Sequence, residues 1–229
     1  MTLEVSVIMP AYNAVRFIEA ALDSLLAQTS VELEIIVVDD GSIDETPRIV
    51  EQIATADPRV RLIASPHRGV SAARNTGLEA ARAPFITFLD SDDLCPPGKT
   101  ARQLARLRAD PEAAVIVGEV MFFREADANC VPLPGTRTMR ILGVNLGAAL
   151  IRREMFDRVG GFDQDPAPDP VGRTILPVGF SFRWKRVGAS GRQVEMQQPW
   201  RLLRAYGANS SKWRQQCRAP GQDRKSTRL

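Results

Sequence analysis

At 229 residues the chain suits one sizeable α/β domain, or a domain with a small appendage, since domains run to ~100–200 residues. Hydrophobic residues at 44% and charged residues at 25% match a globular protein and exclude collagen-like, disordered and disulfide-scaffold classes. The net charge of +3 owes much to the last stretch, where Arg214, Arg218, Arg224, Lys225 and Arg228 outnumber Asp223. Such a tail reads as solvated, with peripheral contact to an anionic membrane surface left open, and nucleic-acid binding is not inferred from it.

Val5 to Met9 reads as a buried strand ending at Pro10, and Phe17, Ile18, Ala21, Leu22, Leu25 and Leu26 then recur at helical spacing. Leu33 to Val38 is a second strand, closed by Asp39-Asp40-Gly41-Ser42. Thr46-Pro47 then supplies an N-cap and a proline at the first helical position, with Ile49, Val50 and Ile53 as the apolar face. A short strand from Val60 to Ile63 leads through a loop containing His67, the only histidine, into a helix over Ser71 to Arg82. Phe85 to Leu89 is the next strand, and it ends on Asp90. Gly98 to Ala109 reads as a helix, Ala113 to Phe123 as one or two strands, Leu146 to Ile151 as a strand and Arg153 to Val159 as a short helix. The proline-rich stretch Asp163 to Pro177 reads as an irregular loop. This order predicts an α/β fold with a mostly parallel central sheet, helices on both faces and a less regular C-terminal part. Residues 1–110 form one half, 111–213 the other, and 214–229 a basic tail.

Cys95, Cys130 and Cys217 are widely spaced with no C-x-x-C pair, so neither a zinc site nor a disulfide framework is indicated and a reducing cytoplasm fits. The start of the chain has no basic segment followed by a long apolar run, and no window offers ~18 consecutive apolar residues.

In open α/β sheets, ligands bind beyond the carboxyl ends of the strands. Both acidic clusters, Asp39-Asp40 and Asp90-Ser91-Asp92-Asp93, follow such strands, so two distant loops are expected to meet at one rim. Gathered carboxylates repel one another unless a cation offsets them, and hard oxygen ligands suit Mg²⁺ or Mn²⁺. Mg²⁺ is usually held by one or two carboxylates plus substrate phosphates, which points to a phosphorylated ligand. Each cluster taken alone is also an ordinary turn or N-cap sequence. The first strand ends in Pro10-Ala11-Tyr12-Asn13, with neither the D-x-D-x-T spacing of an aspartyl-phosphate enzyme nor the G-x-G-x-x-G of a dinucleotide fold.

Four ordered pieces carry a resemblance. They are Val7-Ile8-Met9-Pro10-Ala11-Tyr12-Asn13, Ile36-Val37-Val38-Asp39-Asp40-Gly41-Ser42, Gly69 to Gly77 through Ala73-Arg74-Asn75, and Phe88-Leu89-Asp90-Ser91-Asp92-Asp93. Together they resemble the N-terminal half of family 2 glycosyltransferases with the GT-A fold. The resemblance implies that Pro10, Ala11 and Tyr12 line a nucleotide pocket and that Asp40 contacts base or ribose. It also implies that Arg74, Asn75, Asp90 and Ser91 lie near the donor, and that Asp92, with Asp90 or Asp93, holds Mn²⁺ or Mg²⁺. Implied partners are a nucleotide-diphosphate-sugar donor and a saccharide or glycolipid acceptor, with the chain in the cytoplasm or at the inner face of the membrane.

The likeness returns around Gly147 to Arg153 and Phe156 to Asp163 and then breaks. The family's acidic pair, usual seat of the general base, is missing between Asp163 and Gln198. The acids there are Asp163, Asp165, Asp169 and Glu195, of which Asp169 is the candidate base. Val171 to Gln193 carries Arg173, Arg183, Lys185, Arg186 and Arg192 without one acid, between flanks that look family-like. It reads as a local replacement, by a compensated frameshift, a sequence error or divergence. A nucleotide-sugar-binding relative without turnover is the alternative function.

Overall fold

The computed structural model describes residues 2–123, 126–127, 130–142, 146–162, 164 and 201–205. Its main sheet contains β1 (Val5–Ala11), β2 (Leu33–Asp40), β3 (Val60–Ser65), β4 (Phe85–Phe88), β6 (Val115–Val117) and β9 (Ala149–Arg152), in the order β3-β2-β1-β4-β9-β6. β1 to β4 are mutually parallel, and β9 alone is reversed, lying antiparallel to both β4 and β6. The strand order reverses at β1, so the crevice between the carboxyl ends of β1 and β4 is the topological switch point where such sheets take ligands.

Alternation along the strands divides the core in two. Val7, Met9, Ile35 and Val37 face Ile18, Leu22 and Leu25 of α1 (Ile18–Leu26), Val50 of α2 (Thr46–Ala56) and Leu104 and Leu107 of α4 (Lys99–Ala109). Ile8, Ile36, Val38, Ile86 and Phe88 face α3 (Val70–Ala80) and α5 (Glu154–Val159) on the other side. Strands buried on both faces read as unbroken apolar runs, which is why β1 and β2 stand out in the sequence. Alanines and a glycine let α3 approach closely: a Cβ on Gly77 would stand 2.3 Å from Ile8 Cγ2.

Pro10 sits inside β1 without breaking it. Ile8 C=O accepts from Leu89 N–H, so residues of this parity face β4, and the β1–β4 ladder has already ended at Ile8–Phe88. The missing proline N–H therefore removes no sheet hydrogen bond.

A second sheet runs β5 (Asp93–Leu94), β10 (Arg201–Ala205), β7 (Glu119–Phe123), β8 (Met139–Leu142). The acidic turn thus bridges the two sheets, leaving one at Phe88 and entering the other at Asp93. The one or two strands expected between Ala113 and Phe123 are two, β6 and β7. The strand expected from Leu146 begins only at Ala149, after a short 3₁₀ turn over Leu146–Ala148. Asp39 and Asp40 belong to β2 and do not form a turn beyond it.

At the opposite, amino end of the sheet lies a buried acid. Glu34 on β2 accepts from Ser6 Oγ of β1 at 2.7 Å, Arg82 N at 2.8 Å, Arg82 Nε at 3.0 Å and an Arg61 guanidinium nitrogen of β3 at 3.0 Å. Burial pushes this carboxyl up, but the hydrogen bonds from Ser6 and Arg82 and the Arg82 charge outweigh it and hold the carboxyl below its usual range. Among the described residues, no helix is long and apolar enough to cross a membrane.

Candidate active site

Four loops converge beyond the carboxyl ends of β1 to β4. Those after β1 and β2 are latched directly. Asn13 N donates to Ser42 Oγ at 2.9 Å, Ile43 N returns a bond to Asn13 Oδ1 at 2.9 Å, and Ala14 N donates to Thr46 Oγ1 at 2.8 Å. Asn13 takes the left-handed conformation at φ 48° that this residue tolerates, which turns the chain toward β2. Thr46 is therefore the first residue of α2 and a latch for the β1 loop, and the capping falls to Asp44, which accepts from Thr46 N at 2.9 Å. Burial raises the Asp44 carboxyl, but bonds from Thr46 and Val15 prevail and hold it below the ordinary range.

Asp40 ties β2 to the start of α3. Buried almost completely, it accepts from Arg68 N at 2.8 Å and Gly69 N at 2.9 Å, placing negative charge at a helix N-terminus. His67 Nδ1 lies 2.9 Å from both the Asp40 main-chain oxygen and its Oδ2. The ring stacks on Tyr12, with centroids 4.2 Å apart and planes at 25°. Gly41 makes room: its φ is +74°, and a Cβ there would meet His67 N at 2.9 Å. His67, read from sequence as a loop residue, is thus half of a partly exposed aromatic platform at the rim. The signal available was its place in the loop after a parallel strand, just before a helix start. Beside it, Asp39 Oδ2 accepts from Ser42 N at 3.1 Å, while buried Oδ1 has no partner among the described residues.

The acidic turn is anchored from α3. Arg74, with 4% of its side chain exposed, donates to Asp90 Oδ1 at 2.9 Å and lies over the Phe162 ring at 5.7 Å. Asp90, Ser91 and Asp92 are half-buried at the rim. Asp93 is fully buried, and it acts on Lys99, a buried lysine whose Nζ donates to Gly147 O at 2.8 Å. Burial lowers the Lys99 ammonium against the opposing pull of Cys95 and Asp93. Cys95 is likewise buried, as expected of a small packing residue. The amide of Asn75 is engaged by the Phe162 main chain, with Nδ2 donating to Phe162 O at 2.8 Å and Oδ1 accepting from Phe162 N at 2.6 Å. Pro10 and Ala11 are buried at the floor of the crevice.

Among the described residues, no three His, Cys, Asp or Glu side chains gather closely enough to hold a metal unaided. The hard oxygens of Asp90 and Asp92 at a half-open rim suit a divalent cation that takes its remaining ligands from phosphate and water. Asp163, Asp165, Asp169 and Glu195 lie outside the described residues, as do the proline-rich loop, apart from residue 164, and the basic tail.

The sheet order, the switch-point crevice and the acidic rim define an α/β domain of GT-A type. Residues 6–160 match the model of Glycosyl transferase family 2, and the chain belongs to that family. It is 38% identical over 138 residues to the uncharacterized glycosyltransferase EpsJ of Bacillus subtilis, covering 60% of this chain and 40% of that protein. It is 46% identical over 107 residues to the succinoglycan biosynthesis protein ExoO of Rhizobium meliloti, covering 46% and 30%. This chain therefore spans less than half the length of those relatives. Among solved structures, a mannosyltransferase from Pyrobaculum calidifontis in complex with GDP-Man and Mn²⁺ superimposes with a TM-score of 0.65 at 26% identity, over 93% of this chain and 60% of that one. TarS of S. aureus in complex with UDP-GlcNAc shares the fold, with a TM-score of 0.52 at 23% identity over 70% and 49% of the two chains.

Proposed function

We propose that this chain transfers a sugar, with inversion, from a nucleotide-diphosphate-sugar donor to a hydroxyl of a saccharide or glycolipid acceptor in polysaccharide or glycolipid assembly. The observation that carries the reading is the convergence of the Tyr12–His67 platform, Asp39, Asp40 and the Arg74-anchored acidic turn on one switch-point crevice. Family membership and the relatives' names support it.

In this reading the nucleoside lies at the Tyr12 end, over the floor formed by Pro10 and Ala11. Asp40, held in place by Arg68 N, Gly69 N and His67, is the candidate contact for the base or ribose, and its Oδ1, with one donor, retains capacity to accept another. The diphosphate lies toward Ser91, Asp90 and Asp92, where Mn²⁺ or Mg²⁺ would be held by Asp92 with Asp90 and would offset charge on the departing diphosphate. Asp93 faces the buried Lys99 charge and is read as its counter-ion, leaving the metal to the other two. Arg74 keeps the Asp90 carboxylate in place. Residues 1–110 serve the donor and 111–213 the acceptor, whose hydroxyl proton passes to a carboxylate as its oxygen attacks opposite the leaving group. Asp169 is the candidate for that base. The absence of the family's acidic pair between Asp163 and Gln198 favours the second reading, a relative that binds donor without turnover.

Calorimetry with GDP and UDP, with and without Mn²⁺, tests the site. Asp92→Ala is expected to weaken Mn²⁺-dependent binding by about tenfold or more, about 1.4 kcal/mol, while metal-free binding and melting temperature stay put. Unchanged Mn²⁺-dependent affinity in Asp92→Ala sinks the assignment. Release of sugar from GDP-Man or UDP-GlcNAc by the full chain separates an enzyme from a binding relative.

A further inference from the structure

The Arg74-Asn75 pair does more than sit near a donor. Asn75 holds both the N–H and the C=O of Phe162, as a neighbouring strand would, with bonds of 2.6 and 2.8 Å. Gly161 is what allows this approach, since a Cβ there would stand 2.4 Å from Asn75 Oδ1. The Phe162 ring so placed meets Phe88 edge-on at 5.4 Å and 88° and underlies the Arg74 guanidinium. Phe88 is two residues before Asp90 in the chain, and Arg74 donates to the Asp90 carboxylate. Phe162 therefore reaches the acidic turn by two routes, one through β4 and one through the arginine. Arg74 is almost fully buried, and its Nε has no partner among the described residues. Its position thus depends on the Asp90 bond and the Phe162 face, because a buried guanidinium deprived of one anchor is driven to move.

We propose that Asn75 is a positioning residue: with Gly161 it clamps Phe162 beneath Arg74, and through Arg74 it orients Asp90 in the acidic turn. The proposal rests on the donor-site reading for its functional consequence, though not for the clamp itself. A direct contact between Asn75 and the donor makes different predictions. It would ignore Gly161, and it would have no effect on the turn in the ligand-free protein.

The test uses the full chain with Asn75→Ala, Gly161→Ala and the double variant. Gly161→Ala displaces the Asn75 amide without altering Asn75 or any rim residue. Amide hydrogen exchange of residues 89–95 in ligand-free protein is expected to quicken about tenfold in each variant, with residues 46–65 unchanged, because the clamp has been released. Mn²⁺-dependent affinity for GDP or UDP is expected to fall about tenfold in each, metal-free affinity to hold, and the double variant to match the singles, since both break one device. Unchanged exchange at 89–95 overturns the clamp. Weakened binding in Asn75→Ala with Gly161→Ala silent, or equal losses with and without Mn²⁺, returns Asn75 to direct donor contact and overturns the proposal. If the unaltered chain binds neither nucleotide, the donor-site reading fails and the exchange result still decides the clamp.

Discussion

Substituting Glu34 tests how the far end of the sheet is held. The carboxylate joins β1 through Ser6, β3 through Arg61 and the end of α3 through Arg82, and it is 3% exposed. In Glu34→Gln one amide oxygen remains for Ser6 or Arg82 N–H, while the new NH₂ faces two guanidinium donors. Arg82 and Arg61 have side chains 63% and 36% exposed, so their ion pairs count only as surface-like contacts of about 0–1 kcal/mol each. The larger loss is the buried amide NH₂ left without an acceptor, which puts Glu34→Gln at about 2–3 kcal/mol, or about 5–10 °C in Tm for a chain of this size. Arg82→Ala keeps the Arg82 N–H and leaves the acid with Ser6 and Arg61, so about 1 kcal/mol or less is expected. The pH dependence follows from the lowered carboxyl. Protons bind more readily to the unfolded chain, so the stabilisation is fully present above about pH 4.5, the carboxyl's ordinary value, and is lost as pH falls through the lower folded value. Urea midpoints at pH 7 and in steps below pH 4.5 should show the gap between the natural chain and Glu34→Gln closing with acid. A gap that stays constant, or an Arg82→Ala loss exceeding that of Glu34→Gln, refutes the argument.

Two further outcomes concern the site and the core. Tyr12→Ala removes the stacking platform and should weaken GDP and UDP about two- to tenfold with or without Mn²⁺, as loss of one aromatic pair implies; a loss seen only with Mn²⁺ in calorimetry would move the nucleoside elsewhere. Gly77→Ala drives a Cβ to 2.3 Å from Ile8 Cγ2, so overpacking of about 1–3 kcal/mol should exceed the helix-propensity gain of about 1 kcal/mol. A urea midpoint at or above that of the natural chain would show that α3 can back away from β1.

Strands β1, β2 and β4 were legible because burial on both faces writes unbroken apolar runs, and their carboxyl ends placed both acidic clusters on one rim. The helices followed from 3.6-residue spacing, to within a residue or two. β8 was not legible, since Met139-Arg140-Ile141-Leu142 has the length of many loops and becomes a strand only by pairing with β7. His67 was passed over for the same reason: one histidine in a loop says nothing until Tyr12, fifty-five residues earlier in the chain, is brought against it.

The sequence by itself determined the α/β class, the order of strand and helix through β4, and the acidic turn Asp90 to Asp93 at the end of a parallel strand. These depend on periodicity and on residue chemistry at strand ends, which are local properties. Only the tertiary structure decided how the neighbouring carboxylates divide their work. Asp40 is tied to α3 and His67, Asp90 is held by Arg74, Asp92 stands at the rim, and Asp93 is buried against a lysine charge. Neighbours in sequence differ in burial and partner because partners come from other elements, and solvation and pairing set what a carboxylate can do.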